Sequence, residues 1–120
     1  MASVLIADDA IFMRATIKQM LDRQGHVTIA EASDGAETIE KFVETKPDII
    51  ILDITMPGMN GIEALKRIRE LDRTAKIIIC SAIGQQEIIA KAIQCGASDF
   101  IVKPFEASQL LEAIEKVMRE

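Results

Sequence analysis

The chain contains no tryptophan, no tyrosine and only four phenylalanines. With so few aromatic rings no platform is visible on which nucleic-acid bases could stack. Nor is there a pair of rings to sandwich an isoalloxazine, which sets a flavin-binding reading aside. Positive charge is also short, with 14 Lys and Arg against 19 Asp and Glu and a net charge of −5. Binding DNA means neutralising phosphates, so this balance argues against direct nucleic-acid contact. The two cysteines, Cys80 and Cys95, have no CxxC spacing and no histidine nearby. They read as reduced thiols in packed positions, not as redox or zinc residues. The single histidine, His26, lies at a helix–strand junction without acidic or cysteine partners and reads as a solvent-facing loop residue. No apolar run approaches the roughly 20 residues that span a bilayer. The start, Met1-Ala2-Ser3-Val4, lacks a basic stretch ahead of a long apolar one, so no secretory signal is expected and the expected location is the cytoplasm.

What is present is a pattern of short apolar runs that each end in a polar residue. Val4-Leu5-Ile6-Ala7 ends in Asp8-Asp9, and Ile49-Ile50-Ile51-Leu52 ends in Asp53. Ile77-Ile78-Ile79-Cys80 ends in Ser81, and Phe100-Ile101-Val102 ends in Lys103. Continuous runs rich in β-branched residues read as strands buried on both faces. A fifth run, Val27-Thr28-Ile29-Ala30, alternates apolar and polar residues and is expected to be less buried, at an edge.

Helical patterns fill the gaps. Met13, Ile17, Met20 and Leu21 share one helical face, with Gly25 as its terminator. Ser33-Asp34-Gly35 is a turn or N-cap cluster ahead of a face of Ala36, Ile39 and Val43, which Lys46-Pro47 stops. Leu65, Ile68 and Leu71 mark a third helix. Ile89, Ala92 and Ile93 mark a fourth, ended by Gly96, and Leu110, Ile114, Val117 and Met118 mark a fifth. Strands alternating with helices predict an α/β fold with a parallel sheet. Right-handed crossovers then place helices on both faces, giving a doubly wound sheet. The 120 residues make one domain, and a closed eight-stranded barrel needs roughly twice that length.

All strands of a parallel sheet point the same way, and ligands bind at their carboxyl ends. Asp8, Asp9, Asp53, Ser81 and Lys103 are therefore expected to meet at one edge. Three crowded carboxylates repel one another unless a cation neutralises them. Hard oxygen ligands suit Mg2+ or Mn2+, and the absence of His and Cys disfavours zinc. Lys103 offers a point charge for a phosphoryl oxygen, and Ser81 a hydroxyl for the same oxygen. Asp53 is a candidate carboxylate nucleophile. Blander roles exist for each residue taken singly. Asp9 could cap the helix containing Met13, Asp53 could serve the turn before Pro57, and Lys103 could be a surface lysine. All of them at once, each at the end of its own strand, favours a site.

These residues resemble a known family. Asp8-Asp9, the stretch Asp53-Ile54-Thr55-Met56-Pro57-Gly58-Met59-Asn60-Gly61, Ser81-Ala82 and Lys103-Pro104-Phe105 look like the receiver domain of bacterial two-component response regulators. The resemblance runs from the first strand to the last helix. It implies a flavodoxin-like fold of five parallel strands in the order 2-1-3-4-5 with five helices. It implies that residues 1–120 form a single receiver domain with no output domain. Asp53 resembles the phosphoacceptor, served by a histidine kinase. Asp9 resembles the direct Mg2+ ligand, with Asp8 assisting through water and the Thr55 backbone carbonyl completing the set; Mn2+ is expected to substitute. Ser81 resembles the switch hydroxyl, and Lys103 the lysine that bonds the phosphoryl group through a loop with a cis peptide to Pro104. Phe100 stands where an aromatic ring changes rotamer on activation. Many chemotaxis relatives have Tyr there, so this chain keeps the ring and lacks the hydroxyl.

Ile89, Phe100 and Val102 are the expected partner surface. The implied partners are a histidine kinase of the CheA-like type as phosphodonor, a FliM-like flagellar motor switch protein as output, and a phosphatase. The chain is expected to be a monomer and not an enzyme beyond handling its own phosphoryl group. Chemotaxis is the first expectation, with a phosphorelay intermediate of the sporulation type as the alternative. A phosphatase of the haloacid dehalogenase type also uses an Asp nucleophile. It wants a second Asp two residues on, where this chain has Thr55.

Overall fold

A computed structural model describes residues 1–56, 60–82 and 84–120. Five strands alternate with five helices: β1 (Ser3–Ala7), α1 (Ile11–Arg23), β2 (Val27–Ala32), α2 (Gly35–Thr45), β3 (Ile49–Asp53), α3 (Gly61–Leu71), β4 (Lys76–Ala82), α4 (Gln86–Gln94), β5 (Asp99–Lys103) and α5 (Ala107–Met118). The strands form one sheet in the order β2-β1-β3-β4-β5, and all neighbouring pairs are parallel. The order and the doubly wound architecture are those expected. The alternating strand β2 lies at an edge, while β3 is buried along its whole length.

Period-two alternation sorts each strand onto two cores. Leu5, Ile50, Leu52, Ile77 and Ile79 join Leu65 and Ile68 of α3 in one core. Val4, Ile6, Ile49, Ile51, Ile78 and Cys80 join Ile17 and Leu21 of α1 and Leu110, Ile114 and Val117 of α5 in the other. Each fully buried Ile or Leu contributes about 1.5–3 kcal/mol of transfer free energy, so the isoleucine-rich strands dominate the stability. No helix among the described residues is long and apolar enough to cross a membrane.

Several helical faces differ from the sequence pattern. In α2 the buried residues are Gly35, Thr38 and Phe42, with Ile39 half-buried, while Ala36 and Val43 are exposed. The Asp34 side chain accepts the Glu37 N–H at 2.8 Å and caps the helix, and Phe42 packs into the core with Leu65 and Ile68 where Val43 was expected. At the ends of their helices Leu71, Ile93 and Met118 are exposed, because the core they were expected to join ends before they do. His26 is half-buried, and its Nδ1 accepts the Ala2 N–H at 3.0 Å, so it ties the amino terminus to the α1–β2 turn. Gly25 and Gly96 end their helices with φ of +79° and +108°, as the glycine stop signals predict.

Candidate functional site

The carboxyl ends of β1, β3 and β5 bring Asp8, Asp9, Asp53 and Lys103 together. One carboxylate oxygen from each of the three aspartates lies within 4.8 Å of the others. Asp8 and Asp53 are buried and Asp9 is exposed, so the cluster opens to solvent on the Asp9 side. Lys103 Nζ donates to Asp8 Oδ2 at 2.7 Å and stands 3.5 Å from Asp53 Oδ2. Burial by itself would push the Lys103 ammonium down. The hydrogen bond to Asp8 and the charges of Asp53 and Asp8 outweigh it and raise the pKa above the ordinary lysine value.

Local backbone geometry explains the placement. Asp8 Oδ1 accepts the Ala10 N–H at 2.9 Å, so Asp8, not Asp9, turns the chain into α1. The N-cap position is Ala10, with no side-chain cap bond, which removes the capping role open to Asp9. Asp53 Oδ1 accepts both the N–H and the hydroxyl of Thr55, at 3.0 and 2.9 Å. That tight turn leaves Asp53 Oδ2 toward Lys103. Asn60 caps α3 by accepting the Glu63 N–H at 3.0 Å. Pro57, Gly58 and Met59 of the motif that follows Asp53 lie outside the described residues. The Lys103–Pro104 peptide is cis, as expected.

Ser81 enters differently. Its neighbour Cys80 pairs with Asp53 in the sheet, and Ser81 pairs with Val102. The Ser81 residue is 1% exposed, and its hydroxyl oxygen has no hydrogen-bond partner among the described residues. A buried hydroxyl without a partner is costly, and it fits a place where another oxygen is to arrive. Cys80 sits beneath the carboxylates. Burial pushes its thiol up to about 12, the nearby Lys103 pulls it down, and Asp53 and Asp8 push it further up.

Arg14 of α1 went unnoticed in the sequence. Its guanidinium donates to the Asp8 carbonyl at 2.6 Å and to Glu31 of β2 at 3.1 Å, holding the β1–α1 turn from behind. No sequence signal pairs it with Asp8, because Asp8 lies in the turn before α1 and a polar residue in the first turn of a helix reads as a solvated position. Ile89 is buried, Phe100 is 42% exposed and Val102 is half-buried. The three line one apolar cavity of about 540 Å3 between α4 and β5.

The donor set suits a hard divalent cation. Three carboxylate oxygens converge, and no His or Cys joins the cluster among the described residues.

The family model for the response regulator receiver domain matches residues 4–115. The chain is 53% identical over 116 residues to the chemotaxis protein CheY of Thermotoga maritima, with 97% of each chain covered. It is 54% identical over 115 residues to the chemotaxis protein CheY of Bacillus subtilis, with 96% of each covered. Its fold matches a chain of the CheX–CheY–BeF3–Mg2+ complex of Borrelia burgdorferi with a TM-score of 0.92 and 36% identity. That match covers 97% of this chain and 88% of the other.

Proposed function

The chain belongs to the response regulator receiver family, signalling proteins rather than classical enzymes, and on that premise we propose that it is a chemotaxis receiver phosphorylated on Asp53. The observation that carries this reading is the Asp53 carboxylate held at one oxygen by Thr55 and faced at the other by Lys103, beside two further aspartates. The phosphodonor is the phosphohistidine of a histidine kinase of the CheA-like type. An Asp53 oxygen attacks phosphorus, the P–N bond breaks, and its electron pair leaves with the imidazole. Asp8, Asp9, Asp53 and the Thr55 backbone carbonyl would hold Mg2+, or Mn2+ in its place. Bound there, the cation supplies charge neutralisation for the transferring phosphoryl oxygens.

Lys103 and Ser81 act on the product. The Lys103 ammonium is close enough to Asp53 to exchange Asp8 for a phosphoryl oxygen, a charge-assisted bond. The unpartnered Ser81 hydroxyl donates to another phosphoryl oxygen once the end of β4 moves toward Asp53. That movement vacates space for Phe100, whose ring is exposed in this state, and changes the cavity shared with Ile89 and Val102. This α4–β5 face is the docking surface for the output, a FliM-like motor switch protein. Identities above 50% to two chemotaxis proteins support that choice of pathway. The complex of CheX with CheY from Borrelia burgdorferi supports a further protein partner of the CheX type, and a phosphatase is the class proposed for it.

The test is incubation with Mg2+ and acetyl phosphate or phosphoramidate, read by intact mass. A phosphoryl adduct that requires Mg2+ and disappears in Asp53→Asn is expected. An adduct that persists in Asp53→Asn, or none at all in the parent chain, would overturn the assignment.

A further inference from the structure

Gln85 stands at the N-cap position of α4, yet its side chain caps no amide of that helix. It turns back to the strand, where its Oε1 accepts the Ala82 N–H at 2.7 Å. Ala82 directly follows Ser81, the residue with the buried, unpartnered hydroxyl. A backbone N–H at the carboxyl end of a parallel strand is a donor suited to an anion. Here a neutral amide oxygen occupies it. The same Gln85 side chain lines the apolar cavity with Ile89, Phe100 and Val102. One side chain thus touches both the strand end beside Ser81 and the face that carries the exposed ring of Phe100.

We propose that Gln85 is a latch on the β4–α4 connection. It holds the Ala82 N–H while Asp53 is free, and releases it when a phosphoryl group draws Ser81 and Ala82 toward Asp53. The inference rests on the receiver reading above and deepens it by assigning part of that site's regulation to Gln85. The exchange has a physical direction, because an N–H bonds a charged phosphoryl oxygen more strongly than a neutral amide oxygen. Release also frees the Gln85 side chain inside the cavity, which alters the surroundings of Phe100. Gln85 is therefore a positioning residue that couples the two places. By linkage, anything that breaks the latch favours the anion-loaded state.

The experiment titrates the full chain, with saturating Mg2+, using beryllium fluoride as the phosphoryl-like anion, followed by NMR of the backbone amides and the Phe100 ring. Gln85→Ala removes the competing acceptor and is expected to bind the anion about fivefold more tightly, the effect of one ordinary hydrogen bond. Without anion, its amide signals at Ser81 and Ala82 as well as its Phe100 signals should move along the line toward their anion-bound positions, whereas loss of packing alone would shift Phe100 in no such direction. Gln85→Glu keeps an acceptor and adds negative charge, so it should bind the anion more weakly than the parent. Equal or weaker binding by a folded Gln85→Ala overturns the latch. If that variant does not fold, unchanged or tighter binding by Gln85→Glu overturns it instead. Failure of the parent chain to bind the anion with Mg2+ overturns the receiver reading itself, a separate result.

Discussion

At Lys103 two effects oppose each other, and the ion pair wins. Burial disfavours the ammonium, but its bond to Asp8 and the charge of Asp53 hold it protonated. A pKa raised in this way adds stability that is complete below the unfolded lysine value of about 10.4 and fades only as pH rises past it. Around neutral pH the pair is constant, so a change of partner at Lys103 is driven by ligands and not by protons. The backbone behind the site is as constrained as its charges. A Cβ at Gly61 would clash with the Ile54 Cα and lie 2.6 Å from the Asp53 carbonyl oxygen. Neither backbone atom can yield without moving the strand end that carries Asp53. Gly61→Ala should therefore cost about 3 kcal/mol in urea denaturation, at the upper end of overpacking effects. It should also weaken Mg2+ binding measured by calorimetry. A variant as stable as the parent would show that the loop absorbs the extra methyl.

At the scale of an element, α3 shows how far a periodic pattern reaches. Leu65, Ile68 and Leu71 look equivalent in sequence, but Leu65 and Ile68 are fully buried and Leu71 is exposed. Leu65→Ala should lose about 2–5 kcal/mol of unfolding free energy. Leu71→Ala should stay within about 0.5 kcal/mol of the parent. Equal losses in urea titrations would contradict the observed ends of the core. In α2 the cap sets where the helix begins, and packing against the sheet and α3 sets which face is buried. Asp34 accepts from Glu37, and Glu37 in turn accepts from the Ser33 N–H at 2.7 Å, which fixes where the first turn begins. The sequence shows the cap cluster, but which of the adjacent Phe42 and Val43 faces the sheet depends on how the helix packs, which a single-sequence pattern does not record.

For the whole molecule, the parallel order β2-β1-β3-β4-β5 gathers the ends of β1, β3 and β5 on one side. It also buries Cys80 under them and leaves Cys95 half-buried beyond α4. A thiol raised to about 12 is protonated and unreactive at pH 8. A thiol-specific alkylating reagent at pH 8 should label Cys95 in the folded chain. Cys80 should react only when global unfolding exposes it, so its labelling rate reports opening of the central sheet. Fast labelling of both thiols would show that the sheet beneath the site opens locally.

The sequence by itself determined the alternation of strands and helices, the edge placement of the second strand, and the polar residue that ends each apolar run. These are local properties: a β-branched run buried on both faces has few alternatives, and the polar residue after it marks the carboxyl end of the strand, even where that residue is itself buried, as Asp8, Asp53 and Ser81 are. Hence Asp8, Asp9, Asp53 and Lys103 could be named before their distances were known. Only the tertiary structure decided the partners. Lys103 bonds Asp8 more closely than Asp53, although 95 residues separate that pair in the chain. Arg14 braces the Asp8 carbonyl, His26 ties the Ala2 amide, and Gln85 reaches back to Ala82. Each of these contacts depends on the reach and direction of one side chain across a turn or between strands. Periodicity records which face a residue occupies, and it holds no information about what that residue touches.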